Sequence, residues 1–321
     1  MIDSLIRLYC FFKGDFFSSF LPCFPKKQTS VSELKRMKNY LLLIGFLSLL
    51  PSVAFSQYYS FDHMKTVNYT GHIMSTDDRG NILIGSQNKV VKLDVNGAFI
   101  SQYYPMFQGK VTGIDAKDPR RILVYYKSYA YVVFLNQDLV NAGTLSAYQL
   151  NSNPKPVNLD DLNLSFVKLS CLDEYNEAYW VYDDNTSDII LIDHENRIDF
   201  RGDALDDYSE LEPNPNYMVM ENNRLFINNP ASGVYIFDEN GRFVRKLPLM
   251  GLKKLQVYGD KLYYASNSFL VIRDLVSDKE SYHPLPVLNF KDWILSLDSK
   301  PARINFLTDK GVMIYSMEIE N

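Results

Sequence analysis

Cysteine is scarce in this chain: 321 residues include three, Cys10, Cys23 and Cys171. The first two precede an apolar run from Tyr40 to Phe55, so a chain that loses its N-terminus keeps Cys171 alone and forms no intramolecular disulfide. Histidine is nearly as rare. His63, His72, His194 and His283 lie far apart, with no H-E-x-x-H pairing for zinc. The nucleophile elbow G-x-S-x-G, the phosphate loop G-x-x-x-x-G-K-S/T and C-x-x-C are also missing. Hydrolysis by the common motif-bearing routes therefore has no support in the residues, and no cofactor is expected. Low-complexity tracts long enough to suggest disorder are absent too, and a composition of 46% apolar and 22% charged residues is that of a soluble globular protein.

The apolar run follows Lys35, Arg36 and Lys38 and ends in Ala54-Phe55-Ser56, with small residues at both positions a signal peptidase reads. At ~1.5 Å per helical residue it reaches about 24 Å, short of the roughly 30 Å hydrocarbon core. Residues 37–56 are expected to be a cleaved signal peptide, with Gln57 as the first mature residue. Residues 1–36 are an unusual extension, rich in Phe and interrupted by Lys13 and Asp15, and read as a start assigned too early, with Met37 the true one. If Met1 is real, residues 40–55 instead stay as an N-terminal anchor in the inner membrane. No cysteine follows the run, so a lipid-modified N-terminus is not expected.

Without residues 1–56 the chain holds 26 Lys/Arg against 35 Asp/Glu, a balance of about −9. That sign argues against nucleic acid and anionic membrane as partners. The mature domain is expected to be a monomer, periplasmic or at the cell surface, and not inserted in a membrane.

Aromatics are abundant: 23 Tyr and 20 Phe, many in runs with Val and Ile, favour half-buried strands over helices. From Gly71 onward one unit recurs, in which an apolar strand, a turn rich in Asp, Gly or Asn, a second strand, a polar turn and a third strand ending in Asp lead through Asn-Gly to a fourth strand. Asp78 to Ile84 with Val90 to Phe99, and Asn223 to Ile227 with Val234 to Phe243, match strand for strand. The first apolar residue of each second strand, Ile82, Ile122, Tyr179, Leu225, Leu262 and Ile304, recurs at intervals of 40, 57, 46, 37 and 42. Periods near 40 with four short strands are those of propeller blades. The last unit stops one strand short, and the strand-like Tyr58 to Tyr69 is free to complete it. The expected fold is all-β: a six-bladed β-propeller over 57–321, four antiparallel strands per blade, with the last blade closed by the N-terminal strand.

The segments G-N-I-x-I, N-K-V-x-K-L-D and D-E-N-G-R-F resemble the six-bladed propellers of the NHL-repeat and TolB-like kind over essentially residues 58–321. The resemblance implies the fold. Function is not implied, because enzymes, envelope components and binding modules share that fold. Some lactonases of this architecture hold a divalent ion in the central channel through Glu, Asn and Asp. Here Asp115, Asp173, Glu221 and Asp298 fall near inner-strand ends, and capping of tight turns is the favoured reading of them.

Two long connections, Gln149 to Ser165 and Asp206 to Asn216, are expected to join an outer strand to the next inner strand and to emerge on one face. Tyr148, Asp160, Asp161, Asp206, Asp207, Tyr208, Glu210, Glu212 and Tyr217 form the candidate binding face. Their chemistry suits a protein, peptide or glycan of the bacterial cell envelope, and two solvated insertions are the alternative reading. The residues favour a non-enzymatic binding or scaffold protein. A metal-dependent, channel-centred hydrolase of the lactonase type and an anchored sensor domain stay open.

Overall fold

The computed structural model describes residues 58–105, 109–140, 156–174 and 177–320. The expected leader and extension over residues 1–56 lie outside the described residues, as does Tyr148.

Six antiparallel sheets of four strands each make up the domain. Blade one holds β2 (Ile73–Thr76), β3 (Ile82–Gly85), β4 (Val90–Leu93) and β5 (Phe99–Tyr103), and blade two holds β6 (Gly113–Asp115), β7 (Ile122–Tyr126), β8 (Tyr131–Leu135) and β9 (Val157–Asn158). Blade three is β10 (Val167–Leu172), β11 (Tyr179–Asp183), β12 (Asp188–Ile192) and β13 (Ile198–Ala204); blade four is β14 (Tyr217–Glu221), β15 (Arg224–Asn229), β16 (Gly233–Asp238) and β17 (Phe243–Leu247). Blade five is β18 (Leu255–Tyr258), β19 (Lys261–Ser266), β20 (Phe269–Asp274) and β21 (Glu280–Pro284). Blade six runs from β22 (Asp292–Ser296) through β23 (Ala302–Thr308) to β24 (Gly311–Glu320), and β1 (Tyr58–Val67) completes it by pairing antiparallel with β24 from Tyr58↔Glu320 to Val67↔Val312. Each repeat marker residue sits in a second strand, as the spacing predicts.

The Asp or Asn at the end of the third strand in blades one to four has a local task. The Oδ1 atoms of Asp94, Asp193 and Asp238 each accept backbone N–H groups two and four residues on, and Asn136 does the same in blade two. The turn also needs a left-handed residue. Gly97 and Gly241 supply φ of +77° and +66°, and Asn196 supplies φ of +61° in blade three.

Apolar cores lie between the blades. Each of six buried clusters draws on two neighbouring sheets, for example Trp180 and Tyr182 of blade three against Tyr235 and Phe237 of blade four. At ~1.5–3 kcal/mol for each large side chain fully buried, these layers are the main force holding blade to blade. The closing strand joins such a layer: Tyr59 and Phe61 pack with Trp293, Ile304 and Phe306.

The inner strands pose a separate problem, because the channel-facing edge of each sheet has no strand partner. One layer of side chains answers it. Ser75 Oγ accepts from Ala116 N at 3.3 Å, Asp115 Oδ2 from Leu172 N at 2.9 Å, and Gln256 Oε1 from Leu295 N at 2.9 Å. The backbone N–H of Met220 likewise reaches Cys171. These four acceptors belong to blades one, two, five and three, and each donor belongs to the next blade around the ring. Val219 and Ile294 occupy the layer in blades four and six, which leaves two of its six positions apolar. One strand-end higher, the buried Lys254 Nζ donates to Asp292 Oδ1 at 3.0 Å and to Met74 O at 2.8 Å, while Met74 N donates to Asp292 Oδ2 at 2.6 Å. This pair ties blades five, six and one together.

Candidate functional site

Strand alternation gives the ring two faces. Connections from one blade to the next emerge with the second-to-third strand turns on the crossover face, and the remaining turns lie on the opposite, turn face.

On the crossover face, two successive blade-to-blade connections carry the same device. The 3₁₀ turns η2 (Leu159–Leu162) and η3 (Leu205–Tyr208) read Leu-Asp-Asp-Leu and Leu-Asp-Asp-Tyr. Leu159 and Leu205 are fully buried. Leu159 N donates to Ala130 O at 2.9 Å and Leu205 N to Ser187 O at 2.8 Å, so each connection is clamped to the second turn of its own blade. Blades one and five use the same clamp through Val111 N to Ser86 O and Leu285 N to Ser268 O, without a following acidic pair. The carboxylates are therefore not needed for the clamp. Asp160, Asp161, Asp206, Asp207, Glu210 and Glu212 are all exposed, and none of them joins an ion pair among the described residues.

The two tyrosines described behave differently. Tyr208 stacks on Phe243 with ring centroids 4.1 Å apart and donates its hydroxyl to Asp203 Oδ2 at 2.8 Å, which braces η3 against blade four. Asp203 also accepts from Phe243 N, and this bond first, then the Tyr208 hydroxyl, holds its carboxyl below the usual range. Tyr217 is not on the loop. It opens β14 and lines the channel, where Lys254 Nζ lies 5.7 Å from its ring centroid and burial pushes its phenol up.

The expected course of the first long connection needs correction. Asp206 to Asn216 does join β13 to β14, but the segment Gln149 to Ser165 contains the outer strand of blade two, β9, so the longer connection in sequence is the one from β8 to β9, of which residues 141–155 lie outside the described residues. Strand parity puts that connection's two ends on the turn face. Asp160 and Asp161 stay on the crossover face with η3 because they follow β9 and precede β10. A Pro-bearing insertion beside so short a strand leaves no alternation to read, which is why sequence alone misplaces the boundary.

On the turn face the channel widens into a cavity of about 280 Å³ whose wall includes Thr76, Asp78, Lys117, Gln256, Tyr258 and Asp298. Lys117 Nζ pairs with Glu221 Oε2 at 2.6 Å and with Glu174 Oε1 at 3.7 Å. Desolvation pulls its ammonium down, but the two carboxylates outweigh that and the net shift is upward. Asp115, tied to Leu172 N and Lys117 N, and Glu221 are both held above the usual carboxylate range, chiefly by burial. Asp115 thus combines the turn cap expected of it with an interblade bond. Asp173 accepts from Trp180 Nε1 at 2.9 Å. Among the described residues, no three His, Cys, Asp or Glu side chains are placed to hold a metal ion. Lys117 and Gln256 are not candidates by residue type, and no common offset from the marker residues points to them, since Lys117 precedes Ile122 by five residues and Gln256 precedes Leu262 by six.

No protein-family model matches the chain, and no curated protein matches it in sequence. Solved structures do match in fold. A protein of unknown function from Bacteroides thetaiotaomicron superposes with a TM-score of 0.57 at 12% identity, covering 82% of this chain and 77% of that one. Virginiamycin B lyase from Staphylococcus aureus gives 0.52 at 10% identity over 82% and 100%, and the Pan2 WD40 domain of Neurospora crassa gives 0.52 at 9% over 80% and 95%. At these identities the likeness is one of fold, shared by an enzyme and a WD40 domain alike.

Proposed function

We propose that this protein is an exported, non-enzymatic recognition propeller of the bacterial cell envelope, which docks a cationic protein, peptide or glycan on the crossover face of blades two and three. The observation that carries this reading is the doubled Leu-Asp-Asp turn. Two neighbouring blades present exposed carboxylate pairs, Asp160 with Asp161 and Asp206 with Asp207, on a clamp that other blades build without them. Rigid presentation lowers the ordering cost of binding, and unpaired carboxylates around exposed aromatic surface recruit cations.

The polar groups that line the channel support the non-enzymatic half of the proposal. Asp115, Gln256 and Asp292 each accept a backbone N–H of the next blade, so their geometry is set by closure of the ring. Export rests on Lys35, Arg36, Lys38, the short apolar run and Ala54-Phe55-Ser56. Among the described residues no helix is long and apolar enough to cross a membrane.

The test has two parts. N-terminal sequencing of the native protein should return Gln57; Met1 or Met37 would refute cleavage. Photo-crosslinking groups placed at Ser165 and Ser209, beside the acidic turns, should trap one envelope component in native cells, and neutralising Asp160, Asp161, Asp206 and Asp207 to Asn should abolish that adduct. An adduct of equal yield from the neutralised protein would remove the face from the proposal.

A further inference from the structure

Large apolar side chains stand exposed on three successive blade-to-blade connections of the crossover face. Phe166, between blades two and three, is 62% exposed; Leu211, between three and four, is 56% exposed; Met250, between four and five, is 65% exposed. None of them joins an interblade core. Single apolar residues scattered over a surface need no explanation, so what matters is whether these three belong to one patch.

Hydrogen bonds tie the three connections together. Asp184 N donates to Phe166 O at 2.9 Å, and Lys168 Nζ donates to Oδ1 of both Asp184 and Asn214, three residues beyond Leu211. Ser209 Oγ donates to Leu211 O at 2.6 Å, so Leu211 rides on a braced turn. Asn216 Nδ2 donates to Leu252 O at 3.2 Å and to Lys253 O at 3.1 Å, on the connection that carries Met250, and Gly251 N donates to Pro230 O at 2.8 Å. The three side chains are therefore presented from one braced arc of the ring. An arc already ordered lowers the cost of contact.

Charge around the arc selects what covers it. Asp160, Asp161, Asp206, Asp207, Glu210 and Glu212 flank Phe166 and Leu211 in the chain, whereas Lys127 and Lys168 both pair with Asp184. Lys253, beside Met250, is the countercharge at the far end. Apolar surface edged by unpaired carboxylates is complementary to apolar side chains set among cations. A cationic glycan matches the carboxylates but sets hydroxyls against Leu211 and Met250, which offer them no hydrogen bond.

We infer that this arc docks a polypeptide segment in which large apolar side chains are set among lysines or arginines. This rests on the cationic partner proposed above and narrows that partner from a protein, peptide or glycan to a cationic amphipathic polypeptide.

Three probes carrying eight amines each test it, titrated into the mature domain at mildly acidic pH: fluorescent peptides of four Lys-Lys-Phe or four Lys-Lys-Ser repeats, and a fully deacetylated chitosan octamer. The Phe peptide should bind at least tenfold more tightly than the other two. Phe166→Ser with Leu211→Ser and Met250→Ser should lower its affinity to that of the Ser peptide, while the Ser peptide's own affinity and the melting temperature stay unchanged. Phe99→Ser with Val244→Ser and Val276→Ser, comparably exposed but off this face, should leave the Phe peptide's affinity within twofold. Equal affinity of the two peptides, both weakened by neutralising Asp160, Asp161, Asp206 and Asp207, would overturn the apolar arc and keep the acidic face. The arc is equally overturned by a Phe-peptide affinity that survives the triple change at Phe166, Leu211 and Met250, or by chitosan bound as tightly as the Phe peptide. Failure of every probe to bind would overturn both readings.

Discussion

Blade four and blade two are built on one plan and spend their residues differently. Blade four has strands of five or six residues, and each reversal is punctuated: Asn222 and Asn223 take φ of +52° and +55°, and Asp238 with Gly241 closes the last hairpin. Blade two has an inner strand of three residues and an outer strand of two, yet it keeps the stem of the same turn, with Asn136 capping Asp138 N and Val140 N and Leu139 at φ of +59°. The stem specifies the blade, and the chain beyond the stem is free to vary. Short pairing suffices where apolar layers on both sides hold the sheet, as Leu123, Tyr125, Val132 and Leu159 do against blade three. Residues that serve the ring should therefore cost stability when changed, and residues on the acidic turns should cost only binding.

The largest loss should come from the seam. Starting the chain at residue 71 removes β1, exposes β24 and strips Tyr59, Phe61 and Val67 from their layers. The expected outcome in a thermal melt is a fall of about 10 °C or more with aggregation. An unchanged melting temperature would show that the ring does not depend on this strand.

Next comes the buried pair near the channel. Lys254→Met strands Asp292 in the wall shared by blades five, six and one, and denaturant unfolding should register about 3–5 kcal/mol. A loss near zero would mean that solvent already compensates Asp292.

Blade four offers a finer contrast between two left-handed glycines. At Gly241, φ +66°, a Cβ would lie 2.9 Å from Gly202 Cα, whereas at Gly251, φ +76°, nothing lies within 4 Å. Gly241→Ala should cost about 2–3 kcal/mol and Gly251→Ala about 1 kcal/mol. Equal costs would place the whole penalty in the backbone and none in the close approach of blades three and four.

The smallest stability effect should be a pH dependence at the seam. His283 Nδ1 accepts Tyr59 N–H of the closing strand at 3.1 Å while Nε2 faces Ser281 Oγ at 2.9 Å, and burial holds its pKa below the usual imidazole value. The bond needs the neutral ring. A depressed folded pKa means that the stabilisation is present above the unfolded value of about 6.5 and is lost as pH falls through the lower, folded one. His72, also lowered chiefly by burial, acts in the same window, so the measurement compares native protein with His283→Gln between pH 7 and 4.5. The native protein should lose stability more steeply; parallel curves would exclude His283.

The blades are legible in the sequence because one local chemistry repeats: an Asp or Asn that caps a turn, then a residue able to take positive φ, both visible in D-E-N-G-R-F. The seam is legible from the missing strand. The interblade layer is not, since Ser75, Asp115, Cys171 and Gln256 share a position and no residue type, so Cys171 reads as a leftover thiol and Gln256 does not register. Tyr217 groups with the loop in sequence because the boundary between a polar connection and an inner strand carries no turn signal after Asn216. The acidic pairs are visible as charge, but their equivalence on two clamped turns needs Leu159 and Leu205 in place.

Binding of a defined cationic probe tests the central proposal most directly. A fluorescent octalysine peptide should bind the native domain with an affinity that falls steeply with salt. Changing Asp160, Asp161, Asp206 and Asp207 to Asn should reduce it at least tenfold, whereas neutralising the exposed Asp138, Glu177, Glu239 and Glu318, the same number of charges placed elsewhere, should reduce it less than threefold. Equal losses in the two variants would mean that net charge alone attracts the peptide and would contradict a dedicated acidic face.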